Sequence, residues 1–114
     1  MEVSARAKNV GASTKKLRLV VDSVRGMRVD DALDILRFTP TPLAKVVYKT
    51  VQSAVANAEN NFQMSRDALK IVRIHADDGP MLRRYRPRPR GRVAPIRRRF
   101  SHLTVVVDEE EEEE

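Results

Sequence analysis

Nine arginines fall between Arg83 and Arg99, and no acidic residue occurs between Asp78 and Asp108. Fixed charges at this density repel one another and gain nothing from burial, so this stretch cannot belong to a core. It reads MLRRYRPRPRGRVAPIRRRF, and strand-like segments flank it on both sides. Before it, Val72, Ile74 and Ala76 alternate with Arg73 and His75. After it, Leu103, Val105 and Val107 alternate with His102, Thr104 and Val106. A period of two marks half-buried strands. The economical reading is one long antiparallel ribbon that turns near Pro89-Arg90-Gly91. An arm of about a dozen residues a side, at ~3.3 Å each, reaches roughly 40 Å, longer than a small domain needs. Pro87, Pro89 and Pro95 cannot donate ladder hydrogen bonds, which predicts irregular pairing in the outer arm.

The remainder of the chain supplies a modest core. Residues 2–10 alternate, with Val3, Ala5 and Ala7 on one side and Arg6 and Lys8 on the other, a half-exposed strand. Leu17, Val20, Val21 and Val24 then recur at i, i+3, i+4 and i+7, the stripe of an amphipathic helix, with Ser13 as its N-cap and Gly26 as its stop. A second, shorter helix carries Ala32, Leu33, Leu36 and Ile35, with Asp30 as its expected cap. The third starts at Thr41-Pro42 and keeps Leu43, Val46, Val47, Val51, Ala54, Val55, Ala58 and Phe62 on one face. A polar break at residues 63–67 separates it from the ribbon. At 114 residues, this is one domain: residues 1–107 with the arm at about 77–102, then an acidic tail, 108–114, expected to be disordered.

Charge narrows the function. Residues 1–78 carry 13 Lys/Arg against 9 Asp/Glu, residues 79–107 carry nine positive charges and no negative one, and residues 108–114 carry seven negative charges. The net charge of +6 therefore understates the basic surface. A polyanion is the partner that rewards such a concentration, because binding releases its counterions. Arginine's planar fork suits phosphate oxygens and stacks on bases. Arg83, Arg84, Arg86, Arg88, Arg90, Arg92, Arg97, Arg98 and Arg99 are the primary candidates, with His102 beside them. Arg6, Lys8, Lys15, Lys16 and Arg18 form a second group that reads either as a phosphate-binding patch or as a solvated helix face. Tyr85 and Phe100 either stack on bases or pack across the ribbon. The tail either solvates the chain end or shields the arginines before assembly. The absence of cysteine excludes disulfides and thiolate chemistry, and no run approaches the ~18 apolar residues of a membrane span. No metal or cofactor is expected. His75 and His102, possible neighbours across the ribbon, with Asp77 and Asp78, are the sole candidates for metal-assisted cleavage; the bland alternative is that the aspartates shape a bend before Gly79-Pro80.

These residues carry a resemblance. Lys16-Leu17-Arg18-Leu19-Val20 through Asp22 to Arg25-Gly26, Ala32-Leu33-Asp34-Ile35-Leu36, and Ser53-Ala54-Val55-Ala56-Asn57-Ala58-Glu59-Asn60 all contribute. So do Gly79-Pro80, Arg90-Gly91-Arg92 and Ser101-His102-Leu103-Thr104-Val105-Val106-Val107, with the spacing from Gly91 to His102 kept. Over nearly its whole length the chain resembles the bacterial form of large ribosomal subunit protein twenty-two. The resemblance implies an α+β fold, three helices packed on a small three-stranded antiparallel sheet, with a long arginine-rich β-hairpin extension. It implies a cytoplasmic, non-enzymatic constituent of the ribosome that binds large-subunit (23S-type) rRNA, touches neighbouring ribosomal proteins and acts early in subunit assembly. It also implies a tip that lines the nascent-peptide exit tunnel and meets the nascent peptide. Leu82, Arg83 and Arg84 match the segment whose changes alter macrolide susceptibility in the family, and Arg88, Pro89, Arg90, Gly91 and Arg92 match the tip. Pro89 stands where the family usually has a small residue, and the acidic tail has no counterpart in the common pattern.

Overall fold

The computed structural model describes residues 1–87, 89–91 and 93–109, and within these the side chains of all but 82–87 and 93–98. In chain order the elements are β1 (Val3–Val10), α1 (Thr14–Val24), α2 (Val29–Phe38), α3 (Pro42–Phe62), β2 (Leu69–Pro87) and β3 (Val93–Glu109). Short 3₁₀ turns at Arg66–Ala68 and Pro89–Gly91 precede β2 and join β2 to β3. The strands form one antiparallel sheet in the order β1-β3-β2, so the last strand is the central one. Three helices pack on this sheet, the α+β architecture expected.

Local signals explain most boundaries. Ser13 Oγ accepts from the Lys16 N–H at the start of α1, and Gly26 leaves α1 with φ +78°, a conformation a side chain resists. Thr41 Oγ1 accepts from the Ala44 N–H at 3.2 Å, and Pro42 fills the first turn of α3. The α1 stripe is buried at Leu17, Val20, Val21 and Val24. It meets a layer built from Val47, Val51, Ala54, Val55 and Ala58 of α3, with Leu103, Val105 and Val107 of β3 fully buried beneath. No helix among the described residues is long and apolar enough to cross a membrane.

Four expectations require correction. Val72 is 41% exposed, because the register shifts between Ile71 and Arg73. This β-bulge inserts one residue, so that Ile71 and Ile74, rather than Val72, face the core. Asp30 does not cap α2; Arg28 occupies the cap position and Asp30 lies in the first turn, where its carboxylate accepts from Arg66 Nε at 2.9 Å. That hydrogen bond raises the Arg66 pKa above its ordinary value. Ile35 and Phe62 turn outward at 39% and 47% exposure. The final strand also runs past residue 107: Asp108 and Glu109 pair with Lys70 and Leu69, and Asp108 accepts from the N-terminal ammonium at 3.2 Å. Residues 110–114 of the acidic tail lie outside the described residues.

Both sheet edges are partly capped within the body. On β2, Arg18 donates to the Ala76 carbonyl at 3.2 Å and Arg25 to the Ile74 carbonyl at 3.1 Å. The Ile71 N–H donates to the Met27 carbonyl at 2.9 Å. On β1, Asn57 of α3 donates to the Ser4 carbonyl at 3.4 Å. An open edge templates pairing with other chains, and these contacts satisfy part of that template.

Candidate nucleic-acid interface

Past the body, β2 and β3 continue as a two-stranded ladder from Asp77↔His102 to Pro87↔Val93. The expected irregularity is not in the outer arm. The register is continuous from Met81↔Arg99 outward, and its one shift lies at the base, between Asp78 and Met81. Pro95 pairs with Tyr85 and Pro87 with Val93, two steps apart and therefore on the same parity of the ladder. The described residues extend over 72 × 26 × 20 Å.

The base of the arm is fixed by a polar cluster that sequence reading did not find. Ser101 is completely buried and donates to the Ala12 carbonyl at 2.7 Å. Its hydroxyl lies 3.1 Å from that of Thr14, which donates to the Asp78 carboxylate. The arm's two strands are thereby tied to the start of α1. Gly79 crosses here because a Cβ would sit 3.0 Å from the Phe100 carbonyl oxygen and 3.2 Å from its carbon. Backbone atoms cannot move aside as a side-chain tip can. His102 is also part of this joint. Its Nδ1 accepts from the Asn9 N–H at 3.1 Å, satisfying a residue whose φ of +57° marks the bulge in β1. An accepting Nδ1 leaves the ring proton on Nε2. His75 faces Thr104 across the ladder rather than His102, which faces Asp77. Among the described residues no group of His, Asp or Glu could hold a metal.

Two basic surfaces lie on the body beside this joint. On the outer face of the sheet, Arg6, Thr104 and His75 form one row across the strands, with Lys8 further along β1. Arg73 pairs with Glu2 over the central strand, which accounts for the burial of Val106 on this otherwise polar face. Arg73 and His75 join Arg6 and Lys8 here, and sequence reading had not grouped them because the pairing of distant segments brings them together. At the start of α1, Lys15 and Lys16 are exposed in the first turn, which holds no acidic residue. Cations at this end oppose the helix dipole, so their placement costs stability unless an anion joins them. Lys16 also borders an open cleft of about 640 Å³ between the Gly11–Ser13 loop, Pro42 and Leu43 of α3, and Arg99 and Phe100 of the arm. Arg18, by contrast, commits one guanidinium nitrogen to the edge of β2.

At the turn, Pro89, Arg90 and Gly91 are exposed, and Arg90 and Gly91 both have positive φ, +65° and +71°. Tight hairpin turns need such consecutive left-handed residues because they match strand twist. The side chains of Leu82, Arg83, Arg84, Tyr85, Arg86, Arg97 and Arg98, and all of Arg88 and Arg92, lie outside the described residues.

Comparison with known proteins agrees with this construction. A family profile described as ribosomal protein L22p/L17e matches residues 5–108. The large ribosomal subunit protein uL22 of Dehalococcoides mccartyi is 57% identical over 107 residues, covering 94% of this chain and 98% of the relative. The proteins of the same name from Pediococcus pentosaceus and Desulfitobacterium hafniense are each 50% identical, over 108 and 111 residues. They cover 95% and 97% of this chain and 92% and 97% of their own lengths.

Proposed function

Because the chain belongs to the ribosomal protein L22p/L17e family and is a structural ribosomal constituent rather than an enzyme, we propose that it binds large-subunit rRNA and extends its arm to the wall of the nascent-peptide exit tunnel. The observation that carries this reading is the paired ladder from Asp77↔His102 to Pro87↔Val93, which falls in the stretch of sequence that concentrates nine arginines and no acidic residue. Such a protrusion has nothing of its own to fold around and is suited to a crevice between RNA segments. Arg83, Arg84, Arg86, Arg88, Arg90, Arg92, Arg97, Arg98 and Arg99 neutralise phosphates that crowd there. Arg6, Lys8, Lys15, Lys16 and Arg18 anchor the body, with His102 locking the joint between body and arm. Leu82, Arg83, Arg84, Arg88, Pro89, Arg90, Gly91 and Arg92 shape the tunnel-facing end and meet the nascent peptide. Residues 1–107 work as one unit, neighbouring ribosomal proteins touch the body, and the protein resides in cytoplasmic ribosomes and assists subunit assembly.

Salt dependence tests the phosphate contacts. With about 6–10 phosphates engaged, affinity for large-subunit rRNA falls roughly 10³–10⁵-fold between 50 and 200 mM salt. A nearly flat dependence is incompatible with the reading. In a sucrose gradient of native lysate washed at high salt, the protein co-migrates with large subunits. Recovery only at the top of the gradient would displace it in favour of a free nucleic-acid binder.

A further inference from the structure

A second hollow, of about 350 Å³, lies between the end of α2 and the first half of α3 and shares no residue with the arm or the outer face of the sheet. Its walls include Leu36, almost fully buried, and the half-buried ring of Tyr48. Arg37, Lys45 and Lys49 form its rim, and no carboxylate lines it. Among the described residues none of these three cations has a salt-bridge partner, and Arg37 lies 5.9 Å over the ring of Phe38, itself 79% exposed.

We propose that this hollow seats an unpaired nucleotide of large-subunit RNA, its base against Tyr48 and its phosphates on Lys45, Lys49 and Arg37. The proposal rests on the rRNA-binding reading above and adds a contact independent of the arm. Two placements favour an anion. Lys45 and Lys49 stand at i and i+4 on one helix face, where like charges destabilise a helix. The first turn of α3 also has no acidic residue to offset Lys45 near its positive end. The aromatic wall distinguishes a nucleotide from an acidic peptide, because bases stack on aromatic rings beside cations. The volume falls in the usual range of small-ligand sites, about 300–1,000 Å³.

The test uses the full chain, a large-subunit rRNA transcript and excess tRNA as competitor, with filter binding from 50 to 200 mM salt. The Lys45→Gln/Lys49→Gln variant should bind about tenfold more weakly, with a salt slope shallower by about two phosphates' worth, ~0.7 each for an unpaired strand. Its thermal midpoint should equal or exceed that of the parent, which separates lost contact from lost fold. Tyr48→Leu should weaken binding without changing the slope, and ultraviolet crosslinking should leave a nucleotide on the peptide containing Tyr48. Parent-like binding by both variants, while Arg90→Gln/Arg99→Gln weakens, would overturn the proposal and leave the arm reading intact. So would lysine-directed crosslinks in intact subunits that join Lys45 and Lys49 to a protein rather than RNA. Failure of the parent chain to bind the transcript would remove both readings together.

Discussion

The body and the arm are built from the same two strands, yet different forces hold them. Within the body, β2 and β3 bury Ile71, Ile74, Leu103, Val105 and Val107 under three helices. Beyond Asp78 the same strands continue only as a ladder closed by a turn at Pro89–Gly91. Burial of apolar area, at ~25 cal/mol per Å², stabilises the first region; the second has backbone pairing and turn geometry, and like charges oppose it. An isolated two-stranded ribbon is marginal in water. The body therefore folds for its own sake, while the arm is poised for a partner that supplies what its sequence lacks.

That contrast can be broken by mutation, and the largest effect belongs to the core. Leu103→Ala, at a fully buried position of the central strand, should cost about 2–5 kcal/mol in chemical denaturation. A loss below that range would mean that the core can collapse around the gap. The joint comes next. Thr14→Val keeps the shape but removes the donor to Asp78 and should cost about 1–3 kcal/mol. Amide exchange should quicken along the arm more than in α3; uniform acceleration would mean that the cluster supports the whole body and not the arm's attachment.

Opposite signs are expected at the start of α1. Lys15→Ala/Lys16→Ala should raise stability by about 0.3–1 kcal/mol by relieving the adverse dipole, while weakening rRNA binding. If both quantities fall, these lysines belong to the fold rather than to the interface. The smallest effect is at the turn. Arg90→Gly adopts the same positive φ without strain and should leave the body's stability within about 0.5 kcal/mol. A larger change would show that the tip is coupled to the core.

Much of this was legible in the linear chain because it is local. The α1 stripe at Leu17, Val20, Val21 and Val24, the Thr41-Pro42 start of α3, the alternation at Leu103, Val105 and Val107 and the turn at Pro89-Arg90-Gly91 all reappear in the structure. Signals of two to eight residues encode them through side-chain period, a missing N–H or a tolerated φ. Val72 misled because a bulge changes the phase of a strand without altering its composition. Asp30 misled because its carboxylate is shared with Arg66, 36 positions away.

The chain by itself determined that there is a body with a core and an arginine-rich segment that can have none, since charge density and apolar period are properties of the sequence alone. Only the tertiary structure decided that β3 lies between β1 and β2, that Arg18 and Arg25 cover the edge of β2, and that Thr14, Ser101 and Asp78 lock the arm's base. It alone brought Arg6 into line with His75 and placed Lys45 and Lys49 around Tyr48 beside the end of α2. The physical reason is range. Local preferences act over a few residues, whereas strand order, edge protection and charged hollows arise when burial of the shared core brings together segments dozens of residues apart.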